Sequence, residues 1–91
     1  MAELQITTSF RKDYKRHQGD EDAMRLVHAI FSLLQNDLPL PASFFDHKLT
    51  GRFAHCRECH VRPNLLLIYE PRNAIVKLHR LCNHSELFNA N

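Results

Sequence analysis

The side chains best suited to acid–base chemistry or metal binding are concentrated in the second half of the 91-residue chain, which holds five of the seven histidines and all three cysteines. The stretch FAHCRECHVRPN, residues 53–64, contains Cys56, Cys59 and His60 in the spacing C-x-x-C-H. This spacing is typical of c-type haem attachment, and it also resembles half of a zinc site. The predicted location and the surrounding elements decide between these functions and a simple pair of thiols.

The predicted location of the protein argues against haem. The segment MAELQITTSF has no basic region followed by an apolar core, so we expect no signal peptide. No apolar run in the sequence is long enough to cross a bilayer. We therefore expect a cytoplasmic protein with reduced thiols, and the odd number of cysteines agrees with this. Since c-type haem is attached outside the cytoplasm, a haem protein is not expected.

Strand geometry argues against a metal held by both cysteines of the motif. Residues three apart in a β-strand point to opposite faces with Cα atoms about 10 Å apart, and Cys56 and Cys59 have this spacing. Such a pair can neither form a disulfide nor chelate one ion unless a tight turn lies between them. The nearest further ligands, Cys82 and His84, also lack the usual spacing of a zinc site. We therefore predict semi-buried thiols in a strand, and no metal or cofactor.

The hydrophobic pattern predicts an α+β fold in the order β-α-α-β-β-β. The segment ELQITTS alternates apolar and polar residues, which predicts a strand. A helix capped by Thr8 or Ser9 follows and ends at Gly19. A second helix starts at Asp20 and has acidic residues in its first turn. This second helix carries apolar residues at helical spacing: Ala23, Leu26, Val27, Ile30, Leu33 and Leu34. We expect one domain, residues 1–91, with both helices on one face of an antiparallel sheet.

The second half is predicted to form strands at residues 52–61, 65–70 and 74–82, followed by a helical turn at 83–88 that Asn83 or Ser85 caps. In an antiparallel meander, the end of the last strand lies beside the start of the strand before it. His60, Asn64 and His84 should therefore meet at one end of the sheet, with Arg80 close by. Histidines beside an arginine can transfer protons and hold a phosphate without a metal.

The first helix is predicted to carry a basic surface. Phe10 and Tyr14, four residues apart, form a narrow apolar stripe, and basic residues occupy the remaining surface: Arg11, Lys12, Lys15 and Arg16. The net charge of the chain is only +2 with histidine neutral. A solvated helix face and a surface that binds nucleic-acid phosphates both fit this pattern.

Three blocks of the second half resemble a known family. The segments LPLPASFFDHKLTGRF, CRECHVRPNLLLIYE and LHRLCNHSELF are similar in order and spacing to the motifs of YafQ-like toxins, members of the RelE/ParE superfamily. The family pattern is roughly L-P-x-x-[YF]-x-D-H-x-L-x-G, then R-[DE]-x-H-[IV]-x-P-D, then R-x-G-x-H-[AS]-x-L-F. The similarity covers residues 38–88, and the first 37 residues fit it only in their strand–helix–helix layout.

The resemblance implies a RelE-like fold and the toxin of a type II toxin–antitoxin pair. Such a toxin cuts translated mRNA in the ribosomal A site. In this reaction the ribose 2′-hydroxyl attacks its own phosphate, and no metal or cofactor is needed. The implied partners are a small cognate antitoxin that binds and inhibits the toxin, the ribosome and mRNA, but no membrane.

The functional positions of the family match residues of this chain one by one. The three family histidines match His47, His60 and His84, which implies His84 as general acid and the other two as base or phosphate ligands. The family arginine matches Arg80, which would support the phosphate. The family's C-terminal aromatic residue matches Phe88, which would pack the terminal segment or stack on a base.

The resemblance also gives the basic residues a function. Docking in the A site needs sequence-independent contacts to ribosomal RNA phosphates, and the four basic residues of the first helix would supply them. Arg57 is a further predicted residue for binding RNA.

Two positions depart from the family pattern. The family has Asp where this chain has Asn64, and Asn cannot take a proton at neutral pH. A general-base function is therefore lost at this position, although its amide can still bind the substrate. Cys82 replaces a family glycine near His84, and this change can alter the position and orientation of the His84 side chain.

Two other functions stay open from the sequence. A superfamily member that acts by binding alone, such as a topoisomerase poison, would not need the histidine set. A small zinc-binding interaction module would hold one zinc ion per chain, and the Cys56→Ser substitution would abolish this binding.

Overall fold

The computed structural model describes residues 1–89, and the side chains of residues 1–87. The elements follow in the order β1 (Glu3–Ile6), α1 (Thr8–His17), α2 (Glu21–Gln35), β2 (His47–Lys48), β3 (Arg57–Arg62), β4 (Leu65–Arg72), β5 (Ile75–Cys82) and α3 (His84–Asn89). Two 3-10 turns, Ala42–Phe44 and Gly51–Phe53, flank β2. The predicted α+β class and the order of its main elements are confirmed.

The strands form one sheet in the order β1-β5-β4-β3-β2. The β3–β4 and β4–β5 pairs are antiparallel, as predicted. The strand β2 was not predicted and pairs antiparallel with β3. The prediction of an entirely antiparallel sheet is wrong, because β1 runs parallel to β5. The strand predicted at 52–61 begins only at Arg57, because Gly51 adopts a φ of 68° and starts a 3-10 turn. The turn predicted at 71–73 lies later: Pro71 and Arg72 belong to β4, and Asn73 turns the chain with a φ of 51°.

The helices α1 and α2 cover one face of the sheet. The helix α2 begins at Glu21, one residue after the predicted start at Asp20. Asp20 is its cap, and the Asp20 carboxylate accepts a hydrogen bond from Ala23 N–H at 3.1 Å. The cap of α1 is Thr7 rather than Thr8 or Ser9, and its hydroxyl accepts a hydrogen bond from Phe10 N–H at 2.9 Å. Buried residues of α2 and the central strands fill the core beneath the helices, among them Ala23, Val27, Ile30, Cys59, Leu67, Leu78 and Leu81.

The opposite face of the sheet, here termed the α3 face, carries a smaller apolar cluster formed by Cys56, Leu66, Ile68, Cys82 and Leu87. Leu87 belongs to α3 and packs this helix onto the sheet. Cys56 lies in this cluster and Cys59 in the core under α1 and α2, so the predicted opposite orientation of the two thiols is confirmed. All three cysteines are free and fully buried rather than semi-buried, and Cys56 precedes β3 instead of lying in the strand as predicted. Within residues 1–89, no helix is long and apolar enough to cross a membrane.

Candidate active site

A buried glutamate on the α3 face organises the three predicted histidines. Glu58 of β3 is only 1% exposed. Its carboxylate oxygens lie 2.9 Å from Nε2 of His84, 3.4 Å from Nε2 of His47 and 3.5 Å from Nε2 of His60. These four residues are termed the histidine cluster. They come from β2, β3 and the start of α3, and the fold brings all three imidazoles to one carboxylate.

Strand pairing explains how these side chains share a face. Glu58 lies opposite His47 of β2 and opposite Ile68 of β4, and residues opposite each other in an antiparallel pair point to the same side. His60 follows Glu58 by two residues and therefore points to that side as well. A carboxylate buried without partners would be costly, and His84 Nε2 supplies a hydrogen-bond donor to it at 2.9 Å.

His84 is positioned by the cap of α3. Asn83 Oδ1 accepts a hydrogen bond from Glu86 N–H at 2.7 Å, and Asn83 N–H donates to Glu86 Oε1 at 3.1 Å. This reciprocal capping box fixes the first turn of the helix, and it identifies Asn83 as the cap. His84 Nε2 carries a proton in its hydrogen bond with Glu58, because a carboxylate can only accept.

The ring of His47 is oriented by the backbone of its own loop. Its Nδ1 lies 2.7 Å from the carbonyl oxygen of Phe45, which can only accept, so Nδ1 carries a proton. In the neutral ring, Nε2 is then unprotonated and able to accept a proton. This nitrogen lies 3.4 Å from Oε1 of Glu58, so the carboxylate balances the charge of a proton taken up there. His47 therefore has the geometry of a general base.

His60 lies between the other two histidines and beside an exposed aromatic ring. Its ring centroid is 6.3 Å from that of His47 and 6.3 Å from that of His84. Phe45 stands edge-on to His60 at 5.7 Å, is 67% exposed, and has a left-handed backbone with a φ of 49°, which is uncommon for a bulky residue. Phe45, His47 and His60 line an open groove of about 840 Å³, a size typical of ligand sites.

Arg80 lies opposite Ile68 on β5, and α1 holds its guanidinium group. Arg80 Nε is 2.7 Å from Oδ2 of Asp13, and Nη2 is 3.3 Å from Oδ1. Asp13 is 2% exposed and also accepts the Leu81 N–H at 2.9 Å. Hydrogen bonding to Asp13 raises the pKa of Arg80, so the side chain stays charged. The remaining N–H donors of the guanidinium are suited to a phosphate.

Two predicted site residues lie apart from the histidine cluster. Asn64 is in the β3–β4 turn and lines a separate depression with His17 and Leu65. Arg57 forms an ion pair with Asp46 through Nε at 3.2 Å and Nη2 at 3.2 Å. This contact also raises the pKa of Arg57. The catalytic function of Asn64 and the RNA-binding function of Arg57 stay predictions.

The basic residues of α1 are all exposed, as the nucleic-acid interpretation requires: Arg11, Lys12, Lys15 and Arg16. Arg16 Nη2 lies 2.9 Å from Glu86 Oε2, so it links α1 to the helix that carries His84. Phe88 belongs to α3, but its side chain lies outside the described residues, and its function stays a prediction.

Two residues of the site were missed from the sequence. Glu58 lies in CRECH between two buried thiols, and an acidic residue at a buried strand position was the signal that could have revealed it. Phe45 is one of several apolar residues in LPASFF, and the sequence does not show which of them is exposed.

Comparison with known proteins identifies the family. The family model described as "Bacterial toxin of type II toxin-antitoxin system, YafQ" matches residues 2–89. This chain belongs to the YafQ toxin family. The resemblance carried by three motifs of the second half is therefore confirmed, and it extends over the N-terminal helices. The mRNA interferase toxin YafQ of Escherichia coli K12 is 32% identical over 87 residues, which cover 94% of this chain and 95% of the relative.

Solved structures of bacterial toxins share the fold. A copper-bound mutant toxin from Helicobacter pylori has a TM-score of 0.89 and 33% identity, with 97% of this chain and 100% of that chain covered. The E. coli DinJ–YafQ complex gives a TM-score of 0.85 and 31% identity, with 98% and 100% covered. In that complex the toxin is bound to DinJ. The expected RelE-like architecture is thereby confirmed for this YafQ-family chain.

Proposed function

We propose that this YafQ-family toxin is an endoribonuclease that cleaves translated mRNA in the ribosomal A site without a metal ion. The observation that carries the proposal is the convergence of three imidazoles on the buried Glu58 carboxylate. Such a site can remove one proton and supply another, which is what RNA cleavage by the 2′-hydroxyl requires. The E. coli relative that is 32% identical is named an mRNA interferase.

His47 and His84 carry the two proton transfers. His47 Nε2 takes the proton of the ribose 2′-hydroxyl, and the 2′-oxygen attacks the adjacent phosphorus. The bond from phosphorus to the 5′-oxygen breaks as the new bond forms, and a 2′,3′-cyclic phosphate results. Protonated His84 gives its proton to the leaving 5′-oxygen, which becomes a free 5′-hydroxyl. The histidine cluster thus gains one proton while it loses another, and its net charge beside Glu58 is unchanged.

Two further side chains, Arg80 and His60, stabilise the phosphate. A third, Phe45, positions a nucleobase of the RNA. The phosphate gains negative charge in the transition state, and a fixed cation lowers the energy of that charge. Arg80 meets this need because Asp13 orients its guanidinium group. His60 lies between the acid and the base, where it can contact a phosphate oxygen. The exposed ring of Phe45 offers a stacking surface for the nucleobase next to the cleaved bond.

The ribosome supplies the substrate, and α1 supplies the contacts to it. Four exposed cations on one short helix suit RNA phosphates, which attract positive charge regardless of sequence. Arg16 joins this surface to α3 through Glu86, so RNA bound along α1 would lie close to the helix that carries His84.

The site does not require a metal ion for the reaction. The imidazoles provide the acid and the base, and Arg80 provides the charge that a metal would otherwise supply. Toxin stripped of transition metals should therefore cleave at the same rate on ribosomes when a transition-metal chelator is present. Magnesium must be kept in both reactions, since ribosomes depend on it.

The inhibitory partner is a small cognate antitoxin. The E. coli relative is found in a complex with DinJ, and this chain has the same fold as that toxin. Coexpression with the antitoxin should abolish cleavage, because the complex keeps the toxin from the A site.

Cleavage in a reconstituted translation system tests the proposal. Purified toxin, ribosomes and one defined mRNA should give cuts only within the translated region, with 5′-hydroxyl ends and cyclic phosphates upstream. Equal cleavage of naked mRNA would contradict the dependence on the ribosome. Growth arrest without any cut would contradict the nuclease and favour a toxin that acts by binding alone.

A further inference from the structure

A second group of metal-binding side chains lies on the α3 face, apart from the histidine cluster. His55, Cys56, Glu70 and His79 each offer one ligand atom, and these four atoms all lie within 4.8 Å of one another. Cys56 and Glu70 are buried, at 1% and 5% exposure. None of the four is assigned to RNA cleavage by the mechanism above.

The strands bring these residues together from three segments of the chain. Glu70 lies on β4, two residues beyond Ile68, and so points to the α3 face. His79 is the extra residue of a β-bulge on β5, since Ile68 pairs with Arg80 while Tyr69 pairs with Leu78. The bulge directs His79 to the same face, and its Nε2 lies 2.8 Å from Glu70 Oε1.

The segment before β3 supplies the other two ligands. His55 and Cys56 follow the 3-10 turn Gly51–Phe53, and Cys56 N–H donates to the Phe53 carbonyl oxygen at 2.8 Å. The rings of His55 and His79 are 5.9 Å apart and nearly perpendicular, at 80°. One ring nitrogen of each histidine lies within 4.8 Å of the other, so a single ion can bind to both after a small movement of the side chains.

The donor set points to one kind of metal. One thiolate, two imidazoles and one carboxylate are the ligand types of tetrahedral Zn²⁺, whereas calcium and magnesium take oxygen ligands. Zinc ligands lie about 2.0–2.3 Å from the ion, which places them roughly 3.3–3.8 Å from one another. Side-chain movements of about 1 Å would close the present group to these distances. His55 is exposed and can make such a movement.

We infer that His55, Cys56, Glu70 and His79 form a tetrahedral zinc site that ties the β2–β3 connection to β4 and β5. The ion has a structural function: it fixes the start of β3, which carries Glu58, and takes no part in RNA cleavage. This inference does not depend on the proposed function. It uses only one cysteine of the C-x-x-C-H motif, because Cys59 points to the other face.

Cobalt binding to the full-length protein tests the site directly. Co²⁺ occupies tetrahedral zinc sites, and a thiolate ligand gives it a near-ultraviolet charge-transfer band. We expect one Co²⁺ per chain with this band, and displacement of the cobalt by Zn²⁺. Zinc at about 100 times its Kd should raise the melting temperature by on the order of 10 °C.

Variants locate the metal on the sheet. His55→Gln changes an exposed side chain and should fold normally. It should weaken zinc binding by at least about 10- to 100-fold, which is the loss that removal of a mere outer-shell partner causes. Cys56→Ser should abolish the charge-transfer band. Two substitutions are the matched controls. Cys59→Ser changes a buried thiol on the other face of the sheet, and His84→Gln changes a residue of the histidine cluster. Both proteins should bind zinc like the wild type.

Two results would overturn the inference. One is the absence of a thiolate band together with unchanged affinity in His55→Gln. The other is zinc binding that is lost in His84→Gln but kept in Cys56→Ser, which would place the metal in the histidine cluster instead.

Discussion

Replacing Glu58 with glutamine tests the carboxylate that organises the histidine cluster. Glutamine has the same shape, so it keeps the packing of β3 but removes the negative charge. Glu58 is 1% exposed and cannot touch the RNA. Its effect on cleavage must therefore act through the imidazoles, and Glu58 is a positioning residue.

The contacts of Glu58 set the size of the expected effect. Its shortest contact is the bond to His84 Nε2 at 2.9 Å. A hydrogen bond involving a charged group contributes about 1.5–3 kcal/mol, and about 1.4 kcal/mol corresponds to a tenfold change in rate. We expect kcat for mRNA cleavage to fall roughly 10- to 150-fold, with KM unchanged. The free energy of unfolding should also fall by about 1.5–3 kcal/mol, since the buried hydrogen bond to His84 loses its charged acceptor.

Single-turnover cleavage on programmed ribosomes measures this effect, and thermal unfolding checks the fold. The matched control is Asp22→Asn, the same chemical change in a carboxylate that is 78% exposed and pairs with Arg25 on α2. This control should cleave like the wild type. A Glu58→Gln protein that folds normally and cleaves at the wild-type rate would refute the reasoning, as would a raised KM with kcat unchanged.

Further substitutions separate stability from function at other positions. Phe45→Ala should raise KM for ribosome-bound mRNA, because base stacking contributes about 1–3 kcal/mol, while urea unfolding changes little. Asp13→Asn should lower the free energy of unfolding by about 2–3 kcal/mol, since a buried carboxylate that binds Arg80 loses its charge; unchanged stability would contradict this. Asn64→Asp should leave the cleavage rate within about threefold, and a rise of about tenfold or more would give this position a general-base function. Burial raises the pKa of Cys59 to about 12, so a thiol reagent at neutral pH should label it only after unfolding.

The strand pattern predicted part of the site correctly. The antiparallel meander brings the end of β5 beside the start of β4, with Cys82 opposite Leu66, and so His84 reaches His60 as expected. His47 was placed in the site only by family resemblance. It lies on β2, and a strand of two residues has no alternation that a sequence pattern can reveal.

Other parts of the site depend on tertiary contacts that local patterns do not contain. Asp13 and Arg80 are 67 residues apart in sequence, and only the packing of α1 on β5 brings them together. The β-bulge after His60 changes the register of β3 before the turn, so the expected approach of Asn64 to the histidines is not seen among the described contacts. Glu58 is buried because three imidazoles surround it, and composition alone assigns a glutamate to the surface.

Mapping mRNA ends in cells tests the central claim most directly. The wild type, His84→Ala and His28→Ala should be expressed in parallel, since His28 is an exposed histidine of α2 that bonds to Tyr14 outside the site. We predict growth arrest and new 5′-hydroxyl ends inside translated mRNA for the wild type and His28→Ala, and neither for His84→Ala. Equal arrest by all three proteins without new mRNA ends would contradict the nuclease account.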